Sequence, residues 1–316
     1  MKAIVSDPLS IQDAAALLRA GNLCAFATET VYGLGADATN SNAVLAIYET
    51  KGRPRFNPLI SHCADMAMAL RFARFSPLAQ RLAERFWPGP VTLVLPAIEG
   101  AGLSDLVTAG LDTVALRIPG HAGARALIAA VGRPVAAPSA NPSGRLSPTS
   151  AEQVREGFGG TVPVLDGGPC EAGLESTILA VDDDRVVQLR AGALAREEVE
   201  AFLGTPVAIA EPNAAITAPG MLKSHYAPDA ALRLNADAPE AGEAYLAFGA
   251  VPEDVSGLML NLSPDGDLRE AARNLFAYLS RLDAFGAKII AVAPIPARGL
   301  GEAINDRLER AAAPRQ

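Results

Sequence analysis

The sequence predicts an α/β or α+β fold in two domains of unequal size, and three features of the 316-residue chain support this. Short apolar runs alternate with helical patterns over residues 1–205, as expected for strands and helices packed in layers. Residues 206–229 then contain four prolines and no convincing periodicity, which predicts a linker or a draped loop. A second alternating block fills residues 230–316. We therefore expect a large N-terminal domain, a linker and a small α/β domain.

In the first block, the apolar runs predict strands and the periodic segments predict helices. The strand candidates are LCAFAT from Leu23, PVTLVLP from Pro90, TVALRIP from Thr113, PVAAPS from Pro134 and VPVLDG from Val162. The helix candidates are IQDAAALLRAG, NAVLAIYETKG, LAQRLAERFWPG, HAGARALIAAVG and TSAEQVREGFG, several of which close on glycine. Thr149, three residues before Glu152, predicts a capping box for the last helix. The segment STILAVDDDRVVQLRAG predicts a β-hairpin that turns at its aspartates.

The second block begins with predicted strands near ALRLN, AYLAFG and GLMLNL, and a helix follows from Asp267. Five apolar residues fall on one face of this helix, as a helix packed on a sheet requires: Leu268, Ala272, Leu275, Leu279 and Leu282. A strand in AKIIAVAPI and a helix in LGEAINDRLERAAA complete the block.

Composition limits the class of protein. The 35 acidic and 27 basic residues give a net charge of −8, whereas a protein that coats nucleic acid needs a broad basic face. The three cysteines are too few and too scattered for a disulfide framework or a zinc site. The sequence has neither the pattern of a signal peptide nor an apolar run near the roughly 20 residues that span a bilayer. We therefore expect a soluble cytoplasmic protein with no membrane partner.

Several motifs of catalytic and cofactor sites are missing from the sequence. It contains no P-loop and no nucleophile elbow. The stretches GLGADA from Gly33 and GLGEAI from Gly299 each lack the third glycine of a dinucleotide fingerprint. His62, His121 and His225 are far apart and have no acidic or cysteine partner at ligand spacing, which argues against a protein-built transition-metal site.

A cationic segment, KGRPRFNPLISHC, places Lys51, Arg53 and Arg55 within five residues of an otherwise acidic chain. One interpretation is a charged loop whose cations favour a helix C-terminus. The other is an anion clamp, because arginine offers a planar fork and lysine a point charge, a common combination for a polyphosphate. In that case Asn57 would add a directed amide, and His62 would lie at the end of the short strand that follows.

A second polar stretch, APSANPSGRLSPTS, follows the apolar run at Pro134. It is either an ordinary polar turn or a rigid loop at the carboxyl end of a strand, where α/β sheets tend to place ligands. As a ligand loop, it would offer the hydroxyls of Ser139 and Ser147 and the amide of Asn141 to phosphates or a ribose.

A third stretch, ATETVYGLGADATN, ends a strand near Thr30, and its glycines predict a turn into a helical region. Tyr32 is either a core aromatic or part of a site. Arg117 lies inside the apolar run TVALRIP, where an unpaired cation would be costly. It therefore needs a buried structural partner or a ligand carboxylate, and Arg190 in VVQLRAG is a weaker case of the same kind.

Six motifs occur in the sequence in this order: TETVYGLG, KGRPRFNPLI with His62, ALRIP, APSANPSG, ESTI and LRAG. Through these motifs the chain resembles the YrdC-like family of L-threonylcarbamoyladenylate synthases over about residues 10 to 204. PGMLKSHYAP resembles the linker of the two-domain long form of that family. The resemblance implies an α/β fold: a YrdC-like twisted open sheet with helices on its faces, then a lid-forming linker, then a small Rossmann-like domain. Two departures are Ala27, where members often have proline, and a less basic tripeptide before the linker histidine.

The resemblance implies a nucleotidyltransferase that makes L-threonylcarbamoyl-AMP from ATP, L-threonine and bicarbonate and releases pyrophosphate. The product would pass to a downstream tRNA threonylcarbamoyl-transferase machinery for the t6A modification beside the anticodon, with at most a weak tRNA contact here. The threonine pocket would map onto Thr30, His62, Arg117, the backbone at Ala137, and Ser176. The nucleotide site would map onto Lys51, Arg53, Asn57, Thr113, Ser139, Asn141, Ser147, Arg190 and, from the linker, Tyr226.

The chemistry of this reaction agrees with these residue types. Little proton transfer accompanies attack of a carbamate oxygen on the α-phosphate, so positioning and charge neutralisation should dominate. Lys51 and Arg53, the predicted catalytic residues, would offset the triphosphate charge together with Arg190, and Mg²⁺ would arrive on ATP. Arg117 would clamp the threonine carboxylate, and Tyr226 would close on the nucleotide as part of the lid.

Other functions remain open at this stage. An RNA-binding module without ATP turnover would use the same cations on tRNA phosphates, although the net charge and the lack of interleaved aromatics count against it. The carbamoyl-adenylate chemistry of hydrogenase maturation uses a related domain, but in larger assemblies with an acylphosphatase-like part and cysteine-rich zinc segments. An inactive regulator with this fold is the third alternative, and the intact Lys51, Arg53, Ser139 and Asn141 argue against it.

Overall fold

The computed structural model describes residues 9–211, 226–251 and 257–314, and these form two domains, each built on one sheet. The helices of the larger domain are α1 (Ile11–Arg19), α2 (Ser41–Lys51), α3 (Met66–Ala69), α4 (Pro77–Phe86), α5 (Asp105–Thr108), α6 (Ala122–Val131), α7 (Ala151–Gly157) and α8 (Arg196–Leu203). Its strands are β1 (Cys24–Phe26), β2 (Gly33–Asp37), β3 (Ile60–His62), β4 (Val91–Pro96), β5 (Thr113–Arg117), β6 (Val135–Ala136), β7 (Val164–Leu165), β8 (Thr177–Val181), β9 (Val186–Arg190) and β10 (Ala208–Ile209).

The strands of the larger domain form one mixed sheet in the order β10-β9-β8-β4-β5-β3-β6-β2-β1-β7. Alternate residues of β1 enter different apolar clusters. Cys24 and Phe26 pack with α1 and α6, whereas Ala25 packs with α2. Because successive side chains of a strand point to opposite faces, helices cover both faces of this sheet. The predicted open α/β sheet with helices on its faces is therefore confirmed.

The predicted strands of the first block are present but shorter than the apolar runs that predicted them. β8 and β9 form the predicted antiparallel hairpin. The predicted capping box is wrong in register. Ser150, not Thr149, is the N-cap of α7 and accepts a hydrogen bond from the Gln153 backbone, while Gln153 Oε1 accepts from the Thr149 N–H at 2.7 Å. The side chain predicted to accept a hydrogen bond from the Thr149 N–H is therefore that of Gln153, one residue after Glu152.

The segment with the paired glycines is a strand, which corrects the predicted turn into a helical region. Residues Gly33–Asp37 form β2, which pairs antiparallel with β1 and β6. A Cβ atom at Gly35 would lie 2.8 Å from Phe26 Cε1 and 3.0 Å from the Cys24 carbonyl oxygen. The glycine is needed here because β2 runs close against the Phe26 ring, not because the chain turns.

The smaller domain contains strands β11 (Ala231–Arg233), β12 (Ala244–Ala247), β13 (Met259–Asn261) and β14 (Ile289–Val292) and helices α9 (Leu268–Ala284) and α10 (Leu300–Ala312). Its sheet is parallel throughout, in the order β11-β14-β12-β13. The predicted apolar face of α9 is buried against it, including Leu275, Leu279 and Leu282. In neither domain does a described helix have the length and apolar character needed to cross a membrane.

Candidate functional site

A small cavity of about 50 Å³ lies where β3 and β5 end and β8 begins. Every residue predicted to bind threonine lines this cavity: Thr30, His62, Arg117, Ala137 and Ser176. Four residues predicted for the nucleotide line it as well: Arg53, Ser139, Arg190 and Tyr226. These residues come from seven separate segments of sequence, so their convergence supports a common site.

Strand pairing explains much of this convergence. β3 and β5 are parallel and in register, so His62 lies directly beside Arg117 at their carboxyl ends. Ala137, just after β6, donates its N–H to the Ile60 carbonyl at 2.9 Å, which brings its backbone to the same edge. On the opposite side, Arg190 at the end of β9 donates to the Ser176 carbonyl at 2.8 Å. The site therefore sits at strand ends, where α/β sheets commonly bind ligands.

Arg117 has a largely buried structural partner, Glu29, and still lines the cavity, so the structure combines the two alternatives that the sequence left open. Its side chain is 3% exposed, with Nη2 2.7 Å from Glu29 Oε1 and Nη1 2.9 Å from Thr30 Oγ1. Its Nε donates to the Gly89 carbonyl at 3.2 Å. Burial alone would raise the pKa of Glu29, but the charge of Arg117 and the Gly120 backbone outweigh it, and the pKa is lowered. Three fixed contacts hold the guanidinium in one orientation.

His62 is a neutral imidazole in this site. Burial, followed by the nearby charge of Arg117, lowers the pKa of His62 from 6.5 to about 3. The ring packs edge-on against Phe26 with centroids 6.2 Å apart. Its Nδ1 is buried and has no hydrogen-bond partner within the described ranges. The imidazole therefore offers a hydrogen bond to a ligand without adding charge.

Buried cations dominate the nucleotide side of the cavity. Arg53 is 8% exposed, and burial lowers its pKa to about 10. Burial also lowers the pKa of Arg190, and the charge of Arg307 lowers it further. Lys51 does not line the cavity, because its Nζ donates to the Ser139 carbonyl at 2.7 Å and to the Asn141 carbonyl. Lys51 thus anchors the loop that carries Ser139 and Asn141. The buried cations Arg53 and Arg190, which line the cavity, favour the binding of an anion there.

Asn57 lies buried without any hydrogen bond to its side chain. Neither Oδ1 nor Nδ2 has a partner in the part of the chain that the structure describes, and the residue is 0% exposed. Its backbone carbonyl accepts from Arg53 Nε at 3.3 Å, which places it next to a cavity residue although it does not itself line the cavity. An unpaired buried amide costs free energy, which favours a role in ligand binding over a structural one.

The remaining predicted nucleotide residues are spread more widely. Asn141 and Ser147 border a neighbouring pocket of about 570 Å³, together with Ala227–Asp229 and the end of α9. The Ser147 hydroxyl donates to Glu175. Thr113 begins β5, at the opposite end of that strand from Arg117, and lines neither pocket. The structure therefore does not bring Thr113 to the cavity.

Tyr226 enters the site from the linker. Its backbone has a φ of 64°, in the left-handed region that residues other than glycine rarely adopt, and its side chain is 1% exposed. The ring packs on Phe276 of α9 at 5.5 Å between centroids, and the Arg307 Cζ lies 5.0 Å from it. Residues 212–225, which hold most of the predicted lid and His225, lie outside the described residues.

Sequence reasoning gave no role to three charged residues at this site: Glu29, Glu175 and Arg307. In the sequence, Glu175 stood out only as the first residue of the ESTI motif. Arg307 had a clearer signal, because it falls on the same face of its helix as Ile304, Leu308 and Ala311. A cation on a buried helix face needs a partner, and that partner could have been sought among the acidic residues of the motifs.

The described residues contain no cluster of three or more histidine, cysteine, aspartate or glutamate side chains that could hold a metal ion. What the cavity offers is a set of fixed guanidinium groups, hydroxyls, a neutral imidazole and backbone amides. Such a set can bind a carboxylate and phosphate groups side by side and stabilise charge that develops between them.

Two family models match the chain. The Sua5/YciO/YrdC model, described as "Telomere recombination", matches residues 16–192, and the model described as "Threonylcarbamoyl-AMP synthase, C-terminal domain" matches residues 194–313. A curated threonylcarbamoyl-AMP synthase from Bacillus subtilis (strain 168) is 41% identical, with 98% of this chain and 96% of the relative covered. One from Pyrococcus abyssi is also 41% identical, over 95% of this chain and 93% of the relative.

Among solved structures, the chain is similar to a crystal structure of P. abyssi Sua5 complexed with L-threonine. The TM-score is 0.87 at 40% identity, with 96% of this chain and 94% of that chain covered. The similarity therefore extends over both domains and not only over the sheet that carries the cavity.

Proposed function

Since the chain belongs to the threonylcarbamoyl-AMP synthase family, we propose that it makes L-threonylcarbamoyl-AMP from ATP, L-threonine and bicarbonate, with release of pyrophosphate. One observation carries this proposal: a single cavity joins all the residues expected for threonine, including Arg117, to two further buried arginines, Arg53 and Arg190. A relative that is 40% identical was crystallised in complex with L-threonine, which supports the threonine half of the assignment.

In this proposal, Arg117 binds the threonine carboxylate. Its contacts with Glu29, Thr30 and Gly89 fix the plane of the guanidinium before the ligand arrives, which lowers the cost of ordering it. The neutral His62 and the Thr30 hydroxyl would hydrogen-bond the threonine side chain. The backbone at Ala137 and the Ser176 hydroxyl would complete the pocket.

The nucleotide would lie on the side of Arg53 and Arg190, on the loop that runs from Ser139 through Ser147. The neutral amine of threonine and bicarbonate condense to a carbamate and release water, and one carbamate oxygen bonds to the α-phosphorus of ATP. The bond from that phosphorus to the bridging oxygen breaks, and pyrophosphate leaves with the electron pair. Mg²⁺ enters as part of the MgATP substrate. Because charge shifts from one anion to another, fixed cations are the main contribution of the protein.

In this proposal the chain consists of a catalytic domain (residues 1–205), a linker (206–229) and a small domain (230–316). The linker acts as a lid over the cavity. Tyr226 supports this assignment, because it reaches the cavity while the smaller domain holds its ring. The mixed anhydride product is prone to hydrolysis, so closure would protect it. Truncation at Pro206 tests the lid: the shortened protein should yield less intact product, and an undiminished yield would exclude the idea.

We further propose that the product supplies the t6A modification of tRNA in the cytoplasm. The RNA-binding alternative is less well supported, because Arg53, Arg117 and Arg190 are at most 8% exposed. Cations this deep can reach a nucleotide in a cavity but not the backbone of a folded RNA, which binds to exposed basic surfaces.

The first test is to incubate the purified protein with ATP, Mg²⁺, bicarbonate and L-threonine and to follow pyrophosphate and the adenylate by chromatography. Product should require all three substrates and should fall sharply in Arg53→Ala and Arg117→Ala. Arg269→Ala, which removes a side chain that is 79% exposed, is the matched control and should behave as wild type. ATP binding without product for any amino acid would refute the synthase assignment.

A further inference from the structure

Arg307 belongs to the smaller domain but reaches the site of the larger one. It lies on α10, is 1% exposed, and its Nε is 2.9 Å from Glu175 Oε2. Its Nη2 donates to the Ala191 carbonyl at 2.9 Å, next to Arg190. The two side chains of this ion pair come from positions 132 residues apart in the chain. Arg307 is therefore the described cation that ties α10 to the cavity wall.

Glu175 is the acidic residue among the described residues that line the cavity. Its Oε1 accepts a hydrogen bond from Ser147, a predicted nucleotide residue, and its neighbour in sequence is Ser176. Burial alone would raise the pKa of Glu175, but the charges of Arg307 and Arg190 outweigh it, so the pKa is lowered and the carboxylate is ionised. Without a cation of its own, this carboxylate would repel the phosphates of ATP.

We propose that Arg307 is a positioning residue whose charge neutralises Glu175, so that the smaller domain completes the nucleotide site of the larger one. This inference rests on the proposed function. Arg307 pairs with Glu175 and with its neighbour Asp306 and lies over the Tyr226 ring, and it does not line the cavity itself. Its effect on ATP is therefore transmitted through the carboxylate that it pairs with.

A purely structural ion pair and a charge-compensating one predict different patterns of variants. Loss of Arg307 alone removes the cation in direct contact with Glu175 and leaves only the nearby Arg190 to offset its charge beside the nucleotide. Loss of both charges removes the repulsion again. A structural pair predicts that Glu175→Gln weakens the site as Arg307→Gln does, because each leaves one buried charge without its partner, whereas charge compensation predicts a loss for Arg307→Gln only.

The experiment measures the Kd of the unreactive analogue adenosine 5′-(α,β-methylene)triphosphate with Mg²⁺ by calorimetry on the full chain. Arg307→Gln should weaken binding by about tenfold or more, since an unpaired charge in a low-dielectric site acts strongly on phosphates. Glu175→Gln should bind at least as tightly as wild type. The double variant should return to within about threefold of wild type.

Glu302→Gln is the matched control, because Glu302 also lies on α10 and pairs across the domains with Gln188 and Arg196, away from the cavity. It should leave the Kd unchanged. If Arg307→Gln does not fold, Glu175→Gln carries the test and should still bind the analogue at least as tightly as wild type. A Glu175→Gln variant that binds the analogue about threefold or more weakly than wild type, or a double variant no better than Arg307→Gln, overturns the proposal. Wild type that binds the analogue but makes no product would instead refute the proposed reaction.

Discussion

Acidification should destabilise this protein through His62. The folded pKa of His62 is lowered to about 3 by burial and then by Arg117, against 6.5 for the exposed group. The unfolded chain therefore binds a proton that the folded chain excludes, and stability falls as the pH drops below 6.5. Between pH 7 and pH 5 this single group should remove about 2 kcal/mol from the free energy of unfolding.

The assay compares denaturant unfolding of wild type and His62→Gln at pH 7 and pH 5. The glutamine variant should lack that contribution, so wild type should lose about 2 kcal/mol more than the variant between the two pH values. The comparison within each protein cancels any loss of packing that the substitution causes at pH 7. Equal losses in the two proteins would show that His62 is not held neutral, and the hydrogen-bonding role proposed for it would fall with that result.

Three other predictions follow from contacts in the larger domain. Gly35→Ala should destabilise the protein by about 1–3 kcal/mol in denaturant unfolding, because the new Cβ would meet the Phe26 ring at 2.8 Å; an unchanged midpoint would contradict the close strand packing. Asn57→Ala should keep the free energy of unfolding within about 1 kcal/mol of wild type, because the amide that it removes is buried and unpaired. The same substitution should raise the Kd for ATP, measured by calorimetry. Glu29→Gln should raise the KM for threonine several-fold and leave the KM for ATP unchanged, since Arg117 is the described cavity residue with which the Glu29 carboxylate pairs; equal effects on both substrates would argue against separate subsites.

The candidate site could be predicted well from the sequence where residues were local to a motif. Arg53, Ser139 and Arg190 each stood in a short polar segment beside an apolar run, and the order of the segments matched a family pattern. The roles of Lys51 and Thr113 could not be read in the same way. Lys51 is turned towards two loop carbonyls and Thr113 begins its strand at the far end, and neither orientation follows from composition.

The error at β2 has a physical cause. A glycine pair with neighbouring small residues is typical of a turn, and the sequence carries no sign that an aromatic ring lies against it. Phe26 on the adjacent strand supplies that ring, so Gly35 serves close packing rather than a turn. Pairing partners of a strand are set by the whole sheet, which a local pattern does not describe.

By itself, the sequence determined the alternation of strands and helices, the presence of two domains and the polar segments that hold the site, because apolar periodicity and turn chemistry are local properties. Only the tertiary structure decided which charges neutralise each other. Glu29 meets Arg117, and Glu175 meets Arg307, through sheet pairing and domain packing across long stretches of chain. Electrostatic energy depends on distance and burial in space, so the balance of charge around the cavity is a property of the folded molecule.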